Sequence, residues 1–200
     1  MRKYQLKAIE CLQAAVKKGK DRFLFEMATG TGKTLTSAAV IRLFLRTQNA
    51  RRVLFLVDRL ELEDQAWKAF TRYLKPDYST FIYKEHKNDW KKADIVVTTI
   101  QSLMFDNRYR TLFSPSDFDL IISDESHRSI SGNARAVFEY FNGYKLGLTA
   151  TPKDYLKGVH PENIKENDPR EIERRSSRTP ILLLDVKAEN LPSVIHCWMV

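Results

Sequence analysis

The sequence predicts an α/β fold built on a doubly wound, mainly parallel sheet. Two observations lead to this prediction. Short apolar runs alternate along the chain with segments whose apolar residues recur at helical spacing. The residues that stand out chemically come directly after the apolar runs, namely Gly30, Asp58, Thr98, Asp124 and Thr149. Because open α/β sheets bind their ligands at the carboxyl ends of their strands, these positions mark a candidate site.

The individual elements follow from the same patterns. Strands are predicted at 23–25, 52–57, 81–83, 95–97, 120–123 and 145–148, and helices near 4–18, 34–46, 59–74 and 133–141. The run at 52–57 is apolar on both faces, as expected for a strand covered on both sides. The helix at 34–46 is predicted to bury one face made of Leu35, Ala38, Ala39, Leu43 and Phe44.

The segment 27–34, Met-Ala-Thr-Gly-Thr-Gly-Lys-Thr, lies between a predicted strand and a predicted helix. Backbone N–H groups of such a turn bind phosphate oxygens, and Lys33 adds a positive charge. The hydroxyl of Thr34 is suited to Mg²⁺. The segment has Met27 where the general phosphate-loop pattern has glycine, and the bland alternative is a flexible glycine turn. The predicted phosphate-binding residues are Thr29, Gly30, Thr31, Gly32, Lys33 and Thr34.

Two adjacent acids, Asp124 and Glu125, follow the apolar run 120–122 and should project from the carboxyl end of a buried strand. Carboxylates at that position can hold the same Mg²⁺ and orient an attacking water. With the phosphate loop, they predict hydrolysis of a nucleoside triphosphate.

Composition narrows the class of protein. The 200 residues carry a net charge of +8, which favours an anionic partner such as nucleic acid over a merely solubilising surface. Only Cys11 and Cys197 are present, far apart, which favours a reducing, cytoplasmic environment and disfavours a disulfide scaffold or a zinc site. No signal peptide and no apolar run near eighteen residues is visible, so no membrane role is predicted.

Six motifs, read in order, carry a family resemblance. They lie at 4–5, 28–34, 57–59, 98–101, 124–127 and 147–152, and the series resembles the first RecA-like motor domain of superfamily 2 helicases and translocases. More narrowly, 27–34, 56–59 and 124–129 resemble the R subunit of type I restriction–modification enzymes. The resemblance covers roughly 2–157. We therefore expect a RecA-like phosphate-loop motor domain at 1–157, followed by a charged linker and atypical tail at 158–200.

The resemblance implies ATP and Mg²⁺ as cofactors. Gln5 would read the adenine edge, and Lys33 would bind the β- and γ-phosphates. Thr34 and Asp124 would hold Mg²⁺, and Glu125 would orient or deprotonate the hydrolytic water. The residues implied to couple this site to movement are His127, Thr149 and Thr151.

The same resemblance implies duplex DNA as a partner, contacted on its backbone by Arg59, Thr99 and Gln101. For Arg59, capping of the preceding strand or an ion pair with Glu63 four residues on stays an open alternative.

The resemblance also implies partners beyond this chain. They are a second RecA-like domain, which would supply arginines to the nucleotide, and the methyltransferase and specificity subunits of a restriction complex. Two other functions stay open: a different superfamily 2 helicase acting in DNA repair or on RNA, and a nucleotide-binding remnant without turnover.

Overall fold

One seven-stranded sheet organises the protein in the computed structural model, which describes residues 1–85, 89–124, 133–150 and 195–199. The strand order is β3–β4–β2–β5–β6–β1–β7. All pairs among the first six strands are parallel, and β7 runs antiparallel to β1. The predicted doubly wound, mainly parallel sheet is confirmed. The strands are β1 (Arg22–Met27), β2 (Val53–Val57), β3 (Thr80–Ile82), β4 (Ile95–Thr99), β5 (Leu120–Ser123), β6 (Tyr144–Thr149) and β7 (Ile195–Met199).

Helices cover both faces of this sheet. They are α1 (Lys3–Lys17), α2 (Lys33–Arg46), α3 (Leu60–Leu74), α4 (Ile100–Met104), α5 (Arg108–Leu112) and α6 (Asn133–Tyr140). Helices α1, α2 and α3 pack with strand residues such as Phe55 into one core, whereas α4, α5 and α6 pack with Leu54 and Leu56 into the other. Because successive strand residues face opposite sides, β2 is buried along its whole length, as its apolar sequence predicts.

Three details differ from the sequence prediction. Helix α2 buries Ala38 and Phe44 as predicted, but Leu35, Ala39 and Leu43 are only half-buried, because the helix turns Val40, Ile41 and Leu45 into the core instead. The short helices α4 and α5 were not predicted, since five-residue helices are too short to show a periodic pattern. Strand β7 comes from the segment predicted as an atypical tail, while the apolar run 181–184 lies outside the described residues.

The topology brings the polar residues to one end of the sheet, where the carboxyl ends of the strands lie. The loop after β1 leads into α2, β2 leads into α3, and β4 leads directly into α4. In the paired strands, Glu26 of β1 lies opposite Thr149 of β6, and Ser123 of β5 lies opposite Gly147. The carboxyl ends of β1, β6 and β5 therefore lie side by side and place the phosphate loop and Asp124 at the same end of the sheet.

Candidate nucleotide and nucleic-acid site

The loop between β1 and α2 is a compact turn that relies on two glycines. Gly30 has φ 79° and Gly32 has φ 87°, in the left-handed region that disfavours other residues. The Thr31 hydroxyl donates to Ala28 O at 2.6 Å, which tightens the turn. The first N–H groups of a helix lack intrahelical partners and favour anions. The predicted phosphate-binding segment is thus placed at the amino end of α2.

Helix α1 holds this loop through two side chains. The Tyr4 hydroxyl donates to Thr31 O at 2.9 Å, and Gln5 Nε2 donates to Thr31 O at 3.2 Å and to Gly32 O at 3.4 Å. Gln5 Oε1 accepts from Arg2 N at 2.9 Å, and the residue is only 2% exposed. A Cβ at Gly32 would lie 2.7 Å from Gln5 Nε2. Sequence reasoning placed Gln5 at the adenine and did not foresee this support of the loop.

The residues predicted to hold Mg²⁺ come from neighbouring parts of the same edge. Lys33 and Thr34 are the first two residues of α2, and both are half-buried. Asp124 follows β5, where its N–H donates to Leu56 O at 2.9 Å. Strands β1 and β5 flank β6, so their ends are roughly 10 Å apart, two interstrand spacings. A hydroxyl and a carboxylate are hard oxygen donors of the type that Mg²⁺ prefers, so these residues fit the ion.

The predicted coupling and water-positioning residues are only partly described. Thr149 ends β6 between the phosphate loop and Asp124, and it is buried. Glu125, His127 and Thr151 lie outside the described residues.

A second group of polar residues lies at the ends of β2 and β4. Arg59 precedes α3 with its side chain 68% exposed, and its Nε is 3.9 Å from Asp58 Oδ2. Gln101 is exposed in the first turn of α4 and donates to Asp58 Oδ1 at 3.3 Å. Asp58 thus links the two predicted DNA contacts. The alternative of an ion pair between Arg59 and Glu63 is wrong, because the Glu63 carboxylate contacts Thr99 N and Lys84 Nζ instead.

Thr99, the third predicted DNA contact, is placed differently. It is 3% exposed, and its Oγ1 caps α4 by accepting from Ser102 N at 3.2 Å and lies 2.6 Å from Ser102 Oγ. This hydroxyl is therefore engaged in forming the turn that carries Gln101, which lies two residues further along the chain.

Glu63 is a site residue that sequence reasoning missed. It is fully buried, its Oε1 accepts from Thr99 N at 2.7 Å, and its Oε2 is 3.1 Å from Lys84 Nζ. The carboxylate raises the pKa of Lys84 by hydrogen bonding and charge. The buried residues of α3 are Glu63, Ala66, Phe70 and Leu74, which share one helical face, so the spacing carried the signal.

The opposite end of the sheet, where the amino ends of the strands lie, holds a network of charged residues that stabilises the fold. Arg22 binds Glu139 through two contacts of 2.6 Å, and this bond lowers the pKa of Glu139. Lys145 donates to Phe141 O at 2.7 Å, and burial lowers its pKa. These residues tie the amino ends of β1 and β6 to α6, far from the phosphate loop.

Among the described residues, no helix has the length and apolar character needed to cross a lipid bilayer.

Comparisons with known proteins agree with this arrangement. A family model described as "Type III restriction enzyme, res subunit" matches residues 1–154. The chain is 33% identical over 181 residues to the type I restriction enzyme EcoKI endonuclease subunit of Escherichia coli strain K12. It is 35% identical over 164 residues to the EcoAI endonuclease subunit of E. coli. Each alignment covers 76% of this chain, but only 15% and 19% of the two relatives.

Solved structures show the same fold. The nuclease-deletion mutant of the Type ISP restriction–modification enzyme LlaGI, in complex with a DNA substrate mimic, aligns with a TM-score of 0.62 and 26% identity over 78% of this chain and 18% of that one. The Sulfolobus solfataricus SWI2/SNF2 ATPase core in complex with dsDNA gives 0.63 at 21% identity, over 76% of this chain and 32% of that one. The chain belongs to the "Type III restriction enzyme, res subunit" family, is similar in sequence to type I restriction endonuclease subunits, and has the superfamily 2 helicase and translocase motor fold.

Proposed function

We propose that this chain is the first ATP-binding motor domain of a DNA translocase of the restriction type. It would couple ATP hydrolysis to movement along duplex DNA when joined to a second RecA-like domain. The single observation that carries the proposal is the placement of the Gly30–Gly32 turn, the amino end of α2 and Asp124 at one edge of the sheet. The proposed motor module spans 1–157 with 158–200 as an appended segment, and the scarce cysteines support a cytoplasmic location.

In this mechanism the phosphate loop binds the nucleotide. The N–H groups of Thr29 to Thr34 and the ammonium of Lys33 would surround the β- and γ-phosphates. The Thr34 hydroxyl and the Asp124 carboxylate would hold Mg²⁺, which supplies positive charge against the phosphate oxygens when bound. Gln5 would contact the adenine while it supports the loop.

The chemical step is assigned to the acid after Asp124. Glu125 would accept a proton from the attacking water or orient it toward the γ-phosphate. Thr149, together with His127 and Thr151, would pass the state of the nucleotide to the neighbouring domain. The position of Thr149 at the end of β6, between the phosphate loop and Asp124, supports that role.

Duplex DNA would bind at the ends of β2 and β4. The exposed side chains of Arg59 and Gln101 are suited to phosphate contacts, which position a duplex without reading its sequence. Thr99 would act there through the turn that it caps. Methyltransferase and specificity subunits are the proposed further partners. The E. coli relatives are named as subunits of type I restriction enzymes, which supports a complex of several subunits.

A second candidate function is that of another superfamily 2 helicase. The putative ATP-dependent helicase IRC3 of Saccharomyces cerevisiae is 29% identical over 147 residues, which favours this candidate. Comparing stimulation of ATP turnover by duplex DNA and by RNA separates the two. A nucleotide-binding remnant would bind ATP without turnover under either condition.

The direct test of nucleotide binding is Lys33→Ala, measured by calorimetry with Mg²⁺–ATP beside a melting curve. We expect ATP binding to be lost while the melting temperature changes little, because Lys33 lies at the loop and not in the core. Lys18→Ala removes an equal charge from an exposed position and is the matched control. Normal ATP affinity in folded Lys33→Ala would contradict the proposal.

A further inference from the structure

The carboxylate of Glu63 joins three segments that are distant in sequence. Glu63 belongs to the first turns of α3, which follow Arg59 directly. Its Oε1 binds the N–H of Thr99 at the start of α4, and its Oε2 contacts Lys84 after β3. The side chain is fully buried, whereas that of Lys84 is 43% exposed. Glu63, on the helix that follows β2, therefore contacts both the segment after β3 and the end of β4.

Stability alone is a weak account of such a pair. Removing a carboxylate from water costs free energy that its attraction to a cation often only matches, and apolar replacements of buried ion pairs are frequently neutral or stabilising. The same face of α3 already buries Ala66, Phe70 and Leu74, so the helix has an apolar anchor without Glu63. What an apolar side chain could not supply is the directional bond to Thr99 N.

That bond bears on the proposed DNA contacts. Thr99 caps α4, and Gln101 extends from the first turn of that helix. Gln101 in turn binds Asp58, beside Arg59, so the α3 and α4 segments are linked once at the surface and once beneath it. A change in the buried link would alter the separation of Gln101 and Arg59.

We propose that Glu63 is a positioning residue, which sets the spacing of Arg59 and Gln101 on the DNA backbone through its bond to Thr99. The proposal rests on the DNA role proposed above. Glu63 itself touches neither DNA nor nucleotide.

The test uses Glu63→Met in the full chain, because methionine is apolar, similar in volume and unable to accept the Thr99 N–H. Duplex DNA affinity is measured by fluorescence anisotropy over a salt series, beside ATP affinity and melting. Glu61→Gln is the matched control, since it removes an equal charge from the same end of α3 at an exposed position. Glu63→Gln is the conservative variant, because its amide oxygen can still accept from Thr99.

Charge and positioning predict opposite results. Losing a negative charge strengthens binding to a polyanion, so Glu61→Gln should bind DNA as well as the unmodified protein or more tightly. Glu63→Met should bind duplex DNA at least about threefold more weakly than the unmodified protein does, as expected for coupled residues. Glu63→Gln should recover most of this loss, and ATP affinity should not change. In a Gln101→Ala background, Glu63→Met should have little further effect, because the residue that it positions is gone.

The outcomes separate this inference from the proposed function. If Arg59→Ala and Gln101→Ala weaken DNA binding but Glu63→Met matches Glu61→Gln, the positioning role is wrong and the DNA role stands. A full, additive loss from Glu63→Met in the Gln101→Ala background also overturns it. If neither Arg59→Ala nor Gln101→Ala affects affinity, the DNA role fails first. If Glu63→Met does not fold, Glu63→Gln replaces it in the double-mutant cycle with Gln101→Ala. We then expect a smaller loss of DNA affinity that disappears in the Gln101→Ala background. A loss of the same size in both backgrounds would contradict the positioning role.

Discussion

Replacing Gly32 with alanine tests whether Gln5 supports the phosphate loop. Gly30→Ala is the matched comparison, because both glycines have positive φ. A Cβ at Gly30 would meet nothing within 4 Å, whereas one at Gly32 would lie 2.7 Å from Gln5 Nε2. The two substitutions therefore share backbone strain and differ in a single steric contact.

The structure gives the magnitudes. Left-handed backbone costs a residue with a Cβ roughly 1–2 kcal/mol, which is the whole expected effect of Gly30→Ala. Gly32→Ala adds the contact with Gln5, a buried side chain that cannot move away without losing its bonds to Thr31 O and Gly32 O. Overpacking of this kind costs typically about 1–3 kcal/mol more. Total destabilisation by Gly32→Ala should therefore be about 2–5 kcal/mol, the sum of the two contributions.

Urea unfolding of the single variants and of each paired with Gln5→Ala measures these terms. In the Gln5→Ala background the contact is absent, so Gly32→Ala should cost no more than Gly30→Ala. Calorimetry with Mg²⁺–ATP should show the same order of loss in affinity. Equal costs for the two glycine variants in the unmodified protein would refute the reasoning, as would an unchanged cost of Gly32→Ala after Gln5 is removed.

Three further expectations concern the acids and the turnover. Glu125→Gln should retain ATP binding but lose hydrolysis, and loss of binding as complete as in Lys33→Ala would show that Glu125 holds the metal or the fold. Because Arg22 lowers the pKa of Glu139, their bond stabilises the fold fully above the unfolded pKa of this carboxyl, and the stabilisation is lost as pH falls through the lowered, folded pKa. Glu139→Gln should thus lower stability at pH 7 by about 1 kcal/mol and by less at pH 3 in urea unfolding, whereas a difference independent of pH would contradict this. Steady-state assays of the 200-residue chain should show slow ATP turnover, since the described residues would form one wall of the proposed nucleotide site and arginines from the proposed second domain would contribute about 10³–10⁵ in rate. Fast DNA-stimulated turnover by a proven monomer would contradict that expectation.

The sheet could be predicted from sequence most directly where its strands are buried at every position, as β2, β4 and β5 are. The apolar runs before Asp58 and Asp124 indicate strands covered on both faces, whereas β1 before Gly30 alternates half-buried and buried residues. The structure places all three strands within a residue or two of their predicted bounds. Long helices were equally visible. The short α4 escaped prediction because the Thr99 cap that starts it depends on the hydrogen bond between Thr99 and Ser102, which no periodic pattern reveals.

For the candidate site, the order of the motifs predicted which residues lie near one another, but not the side-chain contacts between them. Gly30, Gly32 and Asp124 lie where the chain order requires, since parallel topology brings strand ends together. The contacts of Gln5 with the loop and of Glu63 with Thr99 join residues 26 to 36 positions apart, and their geometry depends on how helices pack on the sheet. Glutamate is rarely fully buried, so a glutamate in a charged helix is expected at the surface. For this reason the burial of Glu63 was not predicted, although its spacing matches the buried face of α3.

The seventh strand has a consequence for how the sheet is completed. Without β7, the strand that leads into the phosphate loop would be an edge, with a row of unpaired N–H and C=O groups able to pair with another chain. That row is covered by Ile195–Met199, which pairs with residues 23–27 although the two segments lie far apart in the sequence. Contacts between segments so far apart in sequence form late in folding, because the entropy cost of closing the intervening chain comes before the stabilisation by the contact. During synthesis, the free side of β1 would therefore be able to pair with another chain until 195–199 has been made. Removing 195–199 should show first as self-association of the protein.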